Sequence, residues 1–151
     1  MTITISTASA LSEIKAKSHL EVKSIQDPEV RYDVEAGTEK EPEIKRCIAY
    51  ADAQLRALLF RYLQTVSADT VAAGIAVPET LTYVLNLSER RAENKSAQLP
   101  QMFREYIVTT ALSKFYATVS ATDLASRRGN DAAALGAEIV RLVFFKTPPV
   151  L

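Results

Sequence analysis

A single cysteine and a single histidine set the first limits on this 151-residue chain. Cys47 alone forms no intrachain disulfide and cannot supply the two or more thiolates of a zinc site. His19 alone removes HExxH and other histidine-rich metal sites. There is no tryptophan, and four glycines leave little room for a phosphate-cradling loop. Neither sign of charge prevails: 18 Lys+Arg balance 18 Asp+Glu, which argues against binding nucleic acid through a global field but leaves local basic patches open. No run approaches the roughly 20 apolar residues of a membrane span. Met1 to Ala10 is rich in Thr and Ser without a basic start, and Glu13, Lys15 and Lys17 follow, so it does not read as a signal peptide. An intracellular protein, or one assembled inside a cell, is the expectation. The sequons at Asn86 and Asn94 then carry no meaning.

What is present points to a mainly α fold: one domain over 1–151, a small bundle of four to five helices with an exposed acidic loop and an extended C-terminal tail. Ser9 to His19 puts Leu11, Ile14 and Ser18 on one helical face, with Thr7 or Ser9 as cap. Thr2–Ser6, through Ile3 and Ile5, and Leu20–Ile25, through Leu20 and Val22, alternate as short strands do. From Pro42, the positions Ile44, Ile48, Ala51, Leu55, Leu58/Leu59, Tyr62 and Val66 recur with the period of one helix face, predicting a helix over 42–66. Lys45, Arg46, Asp52, Gln54 and Arg56 lie between them as a solvated face. Ser67 or Asp69 caps a short segment to Ala76, and Pro78 opens a further helix with Leu81, Val84/Leu85 and Ser88 inward. Another helix starts near Pro100 and carries Phe103, Tyr106/Ile107, Thr110/Ala111 and Lys114/Phe115. Ser120 and Asp123 have the spacing of a capping box for the last helix, which holds Leu135, Ile139 and Leu142/Val143. Arg127–Asp131 reads either as a break or as a polar turn within it. Pro148 and Pro149 exclude further helix over 146–151.

Between Asp27 and Glu43, seven acids face two bases with no apolar period, so residues 26–43 read as an exposed acidic loop or arm. Glu41 and Glu43 lack the spacing of a calcium loop, and no metal or cofactor is expected. His19 has no nucleophile partner in a recognisable elbow, and Cys47 reads as a small buried hydrophobe. No catalytic residue can be named, and an enzyme is the weakest class. Arg90-Arg91 and Arg127-Arg128 are short basic pairs beside acids, suited to surface or intersubunit ion pairs. Phe60, Tyr62, Phe103, Tyr106, Phe115 and Tyr116 read as core aromatics rather than a base-stacking platform. Leu142-Val143-Phe144-Phe145 cannot all turn inward from one helix end. Either the chain's own N-terminal segment covers it or a partner does.

The order of elements adds a resemblance. Ala10-Leu-Ser-Glu-Ile-Lys15 and Leu20-Glu-Val22, then Ile44-Lys-Arg-Cys-Ile48 with Ala51, then Leu99-Pro-Gln-Met-Phe103 with Ala111-Leu-Ser-Lys-Phe115-Tyr116, resemble the succession in tailed-phage head–tail connector (adaptor) proteins. The chain departs from that family by the acidic insertion after Ile25 and by a helix around Leu81–Arg91. The resemblance implies a non-enzymatic virion protein, made in the host cytoplasm. It would form a ring with copies of itself between portal and tail proteins, with no need of membrane or nucleic acid, and dock through its C-terminal tail. The candidate interface residues are Phe144, Phe145, Val150 and Leu151 in the tail, Arg127 and Arg128, and Glu35, Glu39 and Glu41 in the acidic stretch. The alternative is a small helical cytoplasmic regulator or binding module acting on nucleic acid or a host protein.

Overall fold

Alternation of Thr and Ile makes Thr2–Ser6 a strand, β1, with Ile3 and Ile5 buried and the threonines outward. It belongs to a computed structural model that describes residues 1–63, 77–86 and 97–144, with Phe144 described by its backbone alone. Ser6 accepts from the Ser9 amide and caps α1, Thr7–Glu21, which buries Leu11, Ile14 and Ser18 as their spacing predicts. The strand expected over Leu20–Ile25 is absent. α1 runs on through Glu21 into a single 3₁₀ turn, Val22–Ser24, so Val22 is buried while Leu20 is 63% exposed. Two residues apart on a helix, these side chains point nearly opposite ways.

The acidic stretch keeps most of its side chains exposed, yet it is not an irregular loop. Asp27 caps a short helix, α2, Pro28–Val34, with the proline in its first turn. Lys40 ends it: its ammonium donates to the carbonyls of Tyr32 (2.6 Å), Asp33 (2.8 Å) and Glu35 (3.0 Å). A cation among orphan carbonyls at a helix C-terminus is stabilising. Val34 and Ala36 are buried, and the Ala36 amide donates to the Ser18 hydroxyl at 2.8 Å. These contacts fix α2 against α1.

α3, Glu41–Leu58, follows the predicted period, burying Ile44, Ile48, Ala51 and Leu55. It stops eight residues before the expected end, because Leu59 and Tyr62 close a turn and Leu63 bridges to Leu85. Val66, and the segment expected over 70–76, lie outside the described residues. No helix begins at Pro78. Thr80–Val84 is a strand, β2, antiparallel to β1 with Ile3 opposite Tyr83 and Ile5 opposite Leu81. Leu81, Tyr83 and Leu85 are all buried, a period of two that outranks the helical reading, and the β-branched Thr80, Thr82 and Val84 suit a pleated strand. The Thr7 hydroxyl donates to the Pro78 carbonyl at 2.6 Å, tying the start of α1 to the segment before β2.

α4, Leu99–Thr118, is the hub. Seven consecutive residues, Tyr106 to Leu112, are buried, which requires neighbours on every side. Those neighbours are α1, α3, β1 and, most extensively, α5, Thr122–Phe144. The α4–α5 corner overturns the capping box. Ser120 takes a left-handed conformation, φ 62°, while the Ala121 amide bonds the Tyr116 carbonyl (2.8 Å) and the Ser120 amide the Ala117 carbonyl (3.3 Å). This is a Schellman motif closing α4. Ser120 is therefore spent on the end of α4, and α5 starts from Ala121, whose carbonyl accepts its first bond. Arg127–Asp131 is a continuous part of α5. The fold is mainly helical, a small bundle with a two-stranded sheet.

Candidate functional site

The small side chains of α5 set the geometry of its contact with α4. A Cβ on Gly136 would lie 3.1 Å from Tyr106 Cε2 and 3.2 Å from Leu58 Cδ1, so a larger residue here would require those side chains to shift by a few tenths of an ångström. α3 and α5 both pack on α4 but touch each other little, and an open groove of about 720 Å³ lies between them. Tyr106, Ser113 and Ala117 of α4 line it, with Ala132, Ala133 and Ala137 of α5 along one wall. Tyr50 and Leu58 of α3 form the other wall and are 40% and 39% exposed. Large apolar side chains left uncovered beside a concave surface mark an interaction site.

Among the described residues one charged side chain, Lys114, lines the groove, and its ammonium sits 4.8 Å from the centre of the Tyr50 ring. Below it, Thr110 Oγ1 is buried without a hydrogen-bond partner among the described residues. Burial pushes the Tyr106 phenol above its ordinary value, and Thr110 partly offsets this without reaching hydrogen-bond geometry. The sequence carried a signal for this site: Gly129, Ala132, Ala133 and Gly136 follow helical spacing on one side of the last helix. Its partner wall was not legible, because Tyr50 falls between the core positions of α3.

A second polar cluster corrects the placing of Asp52 on a solvated face. Asp52 is fully buried, accepting from the Tyr83 hydroxyl at 2.5 Å and from Arg56 Nε at 3.1 Å. Arg56 also donates to the Thr82 carbonyl at 2.9 Å and lies over the Tyr83 ring at 4.6 Å. Burial, then the Asp52 charge, pushes the Tyr83 phenol far up, so it remains a donor. The cluster pins β2 to α3.

The acidic candidates already have partners within the chain. Glu35 meets His19 at 2.6 Å, Glu39 accepts from the Tyr32 hydroxyl, and Glu41 pairs with Lys15, whose hydrogen bond and charge lower the Glu41 pKa. Arg128 binds Glu21 (3.0 Å) and Asp131 (3.6 Å), joining α5 to α1, whereas Arg127 is exposed. None of these residues lines the groove. Cys47 is buried, as expected, and burial pushes its thiol up to about 11. Phe103, Tyr106, Phe115 and Tyr116 are core, while Phe60 is 79% exposed. Leu142 and Val143 are buried at the end of α5. The Phe144 side chain, Phe145, Val150, Leu151 and the Arg90-Arg91 pair lie outside the described residues. Among the described residues, no group of three or more His, Cys, Asp and Glu is placed to hold a metal ion, and no helix is long and apolar enough to cross a membrane.

Comparison of the chain with protein-family models, with curated proteins and with solved structures finds no match.

Proposed function

We propose that the chain is a non-enzymatic structural protein of a tailed-phage virion, a subunit of the ring that joins portal to tail. The observation that carries this reading is the open groove between α3 and α5, with Tyr50 and Leu58 uncovered on a chain of balanced charge. Such a surface suits repeated protein contacts rather than turnover of a small molecule. The order of elements adds to it. α1, α3 and α4 follow in the order on which the resemblance rests; the acidic insertion after Ile25 includes a short helix, α2, and residues 80–84 are a strand rather than a helix.

The test is assembly. Native mass and negative-stain images are taken of the purified chain, alone and with candidate portal and tail proteins. Rings of constant copy number on the portal support the reading. A one-to-one complex with a nucleic acid or a host protein, without rings, replaces it with a small regulator or binding module.

A further inference from the structure

We infer that the α3–α5 groove receives the Tyr32 corner of α2 from a second copy of the chain, so that subunits join head to tail. The inference rests on the ring reading and names its contact. Tyr32 is 56% exposed on a seven-residue helix, with Pro28, Glu29 and Asp33 around it. The Lys40 ammonium lies over one part of the Tyr32 ring, 5.3 Å from its centre, and the Tyr32 hydroxyl donates to Glu39. The exposed remainder of the ring is an aromatic anchor with the carboxylates of Glu29 and Asp33 beside it. The groove is its complement: an apolar trough walled by alanines and aromatics, whose lining holds one charge, the cation of Lys114.

Glu35, Glu39 and Glu41 are engaged by His19, Tyr32 and Lys15. Glu29 and Asp33 are the exposed carboxylates of α2 nearest the anchor in sequence, and they are the ones placed to meet Lys114. Arg128 is held by Glu21, so it does not compete for them.

The two surfaces also lie on different sides of the molecule. On α4 the groove takes Tyr106, Thr110, Lys114 and Ala117. The side toward α1 and α2 is marked by Arg104, bonded to Glu13, and by Phe115, under the Lys40 ammonium. At 100° per residue these two stand about 125–145° from the centre of the groove face. Unlike patches facing different directions do not form one symmetric contact. Each copy offers one and accepts the other, and such heterologous contacts generate rings or filaments.

The test uses the full chain. Sedimentation velocity at concentrations up to about 0.1 mM should show self-association that weakens with salt. Tyr32→Ala, Ala133→Trp and Lys114→Glu change exposed positions, so folding is expected to persist, and each should weaken association by about tenfold or more. Lys114→Glu combined with Asp33→Lys should regain part of the loss. A Tyr32→Cys chain mixed with an Ala133→Cys chain should couple through a short bismaleimide faster than either alone, because Cys47 is buried with its thiol held protonated. Association unchanged in these variants, or no preference for the mixed pair, overturns the inference even where rings form on a portal. A wild-type chain that stays monomeric at the highest concentration, together with a mixed Tyr32→Cys and Ala133→Cys pair that does not couple with portal present, overturns it as well. Rings lost together with coupling tell against both readings.

Discussion

Removing the Tyr83 hydroxyl measures how the sheet is fastened to the bundle. Asp52 has no exposed surface and holds two partners, the Tyr83 hydroxyl at 2.5 Å and the Arg56 guanidinium at 3.1 Å. A hydrogen bond to a charged group contributes about 1.5–3 kcal/mol. Tyr83→Phe leaves the ring and its edge contact with Phe103 (5.4 Å) in place but strips one bond from a buried carboxylate. A loss of about 2 kcal/mol is expected. Asp52→Ala does more, leaving the Tyr83 hydroxyl and half-buried Arg56 without their acceptor, and about 3–5 kcal/mol is expected from breaking a buried pair. The double variant should cost less than the sum of the two, by about 1–2 kcal/mol, because each substitution removes the same bond. The assay is urea unfolding followed by far-UV circular dichroism at pH 7, with thermal melts alongside, in which each kcal/mol is worth about 2–4 °C at this chain length. Tyr83→Phe within about 0.5 kcal/mol of the parent, or strict additivity, would refute the reasoning.

Four further outcomes are expected. Leu55→Asp places a charge at a fully buried position of α3 and should cost more than about 4 kcal/mol by denaturant titration; a parent-like midpoint would show the face to be wrong. Ser120→Gly should raise stability by about 1 kcal/mol, because glycine accepts the positive φ that serine holds at a cost; a lowered melting temperature would contradict the Schellman assignment. An acid whose folded pKa is raised loses its proton first in the unfolded chain, so stability is intact below the unfolded value and falls as pH rises toward the folded one. That window runs from 9.0 to about 11 for Cys47 and from 10.0 to about 12 for Tyr116, so Cys47→Ala should lose about 2 kcal/mol less than the parent between pH 8 and 10.5. Reversing Glu35, Glu39 and Glu41 to lysine should lower the melting temperature, since each has a partner within the chain; an unchanged value would mean that these pairs contribute nothing.

The sequence by itself determined the helices whose apolar residues repeat over several turns. Ile44 to Leu55 mark one face of a helix, and Phe103 to Phe115 keep a helical period within a segment that turns out to be buried on every side. Ile3 and Ile5 likewise marked β1. Where the run was short, the period was ambiguous, and long-range pairing decided. Leu81, Tyr83 and Leu85 become a strand because β1 lies opposite with its own isoleucines, a partner some 80 residues away along the chain. Asp52 looked solvated because local spacing cannot show that Tyr83 and Arg56 arrive to satisfy it. Ser120 had the right spacing for a cap, yet the corner out of α4 took it first. The groove was half legible, as small residues on one side of the last helix. That α3 and α5 touch each other little over α4, leaving Tyr50 and Leu58 partly exposed, depends on how two helices pack on a third, and only the tertiary structure fixes that.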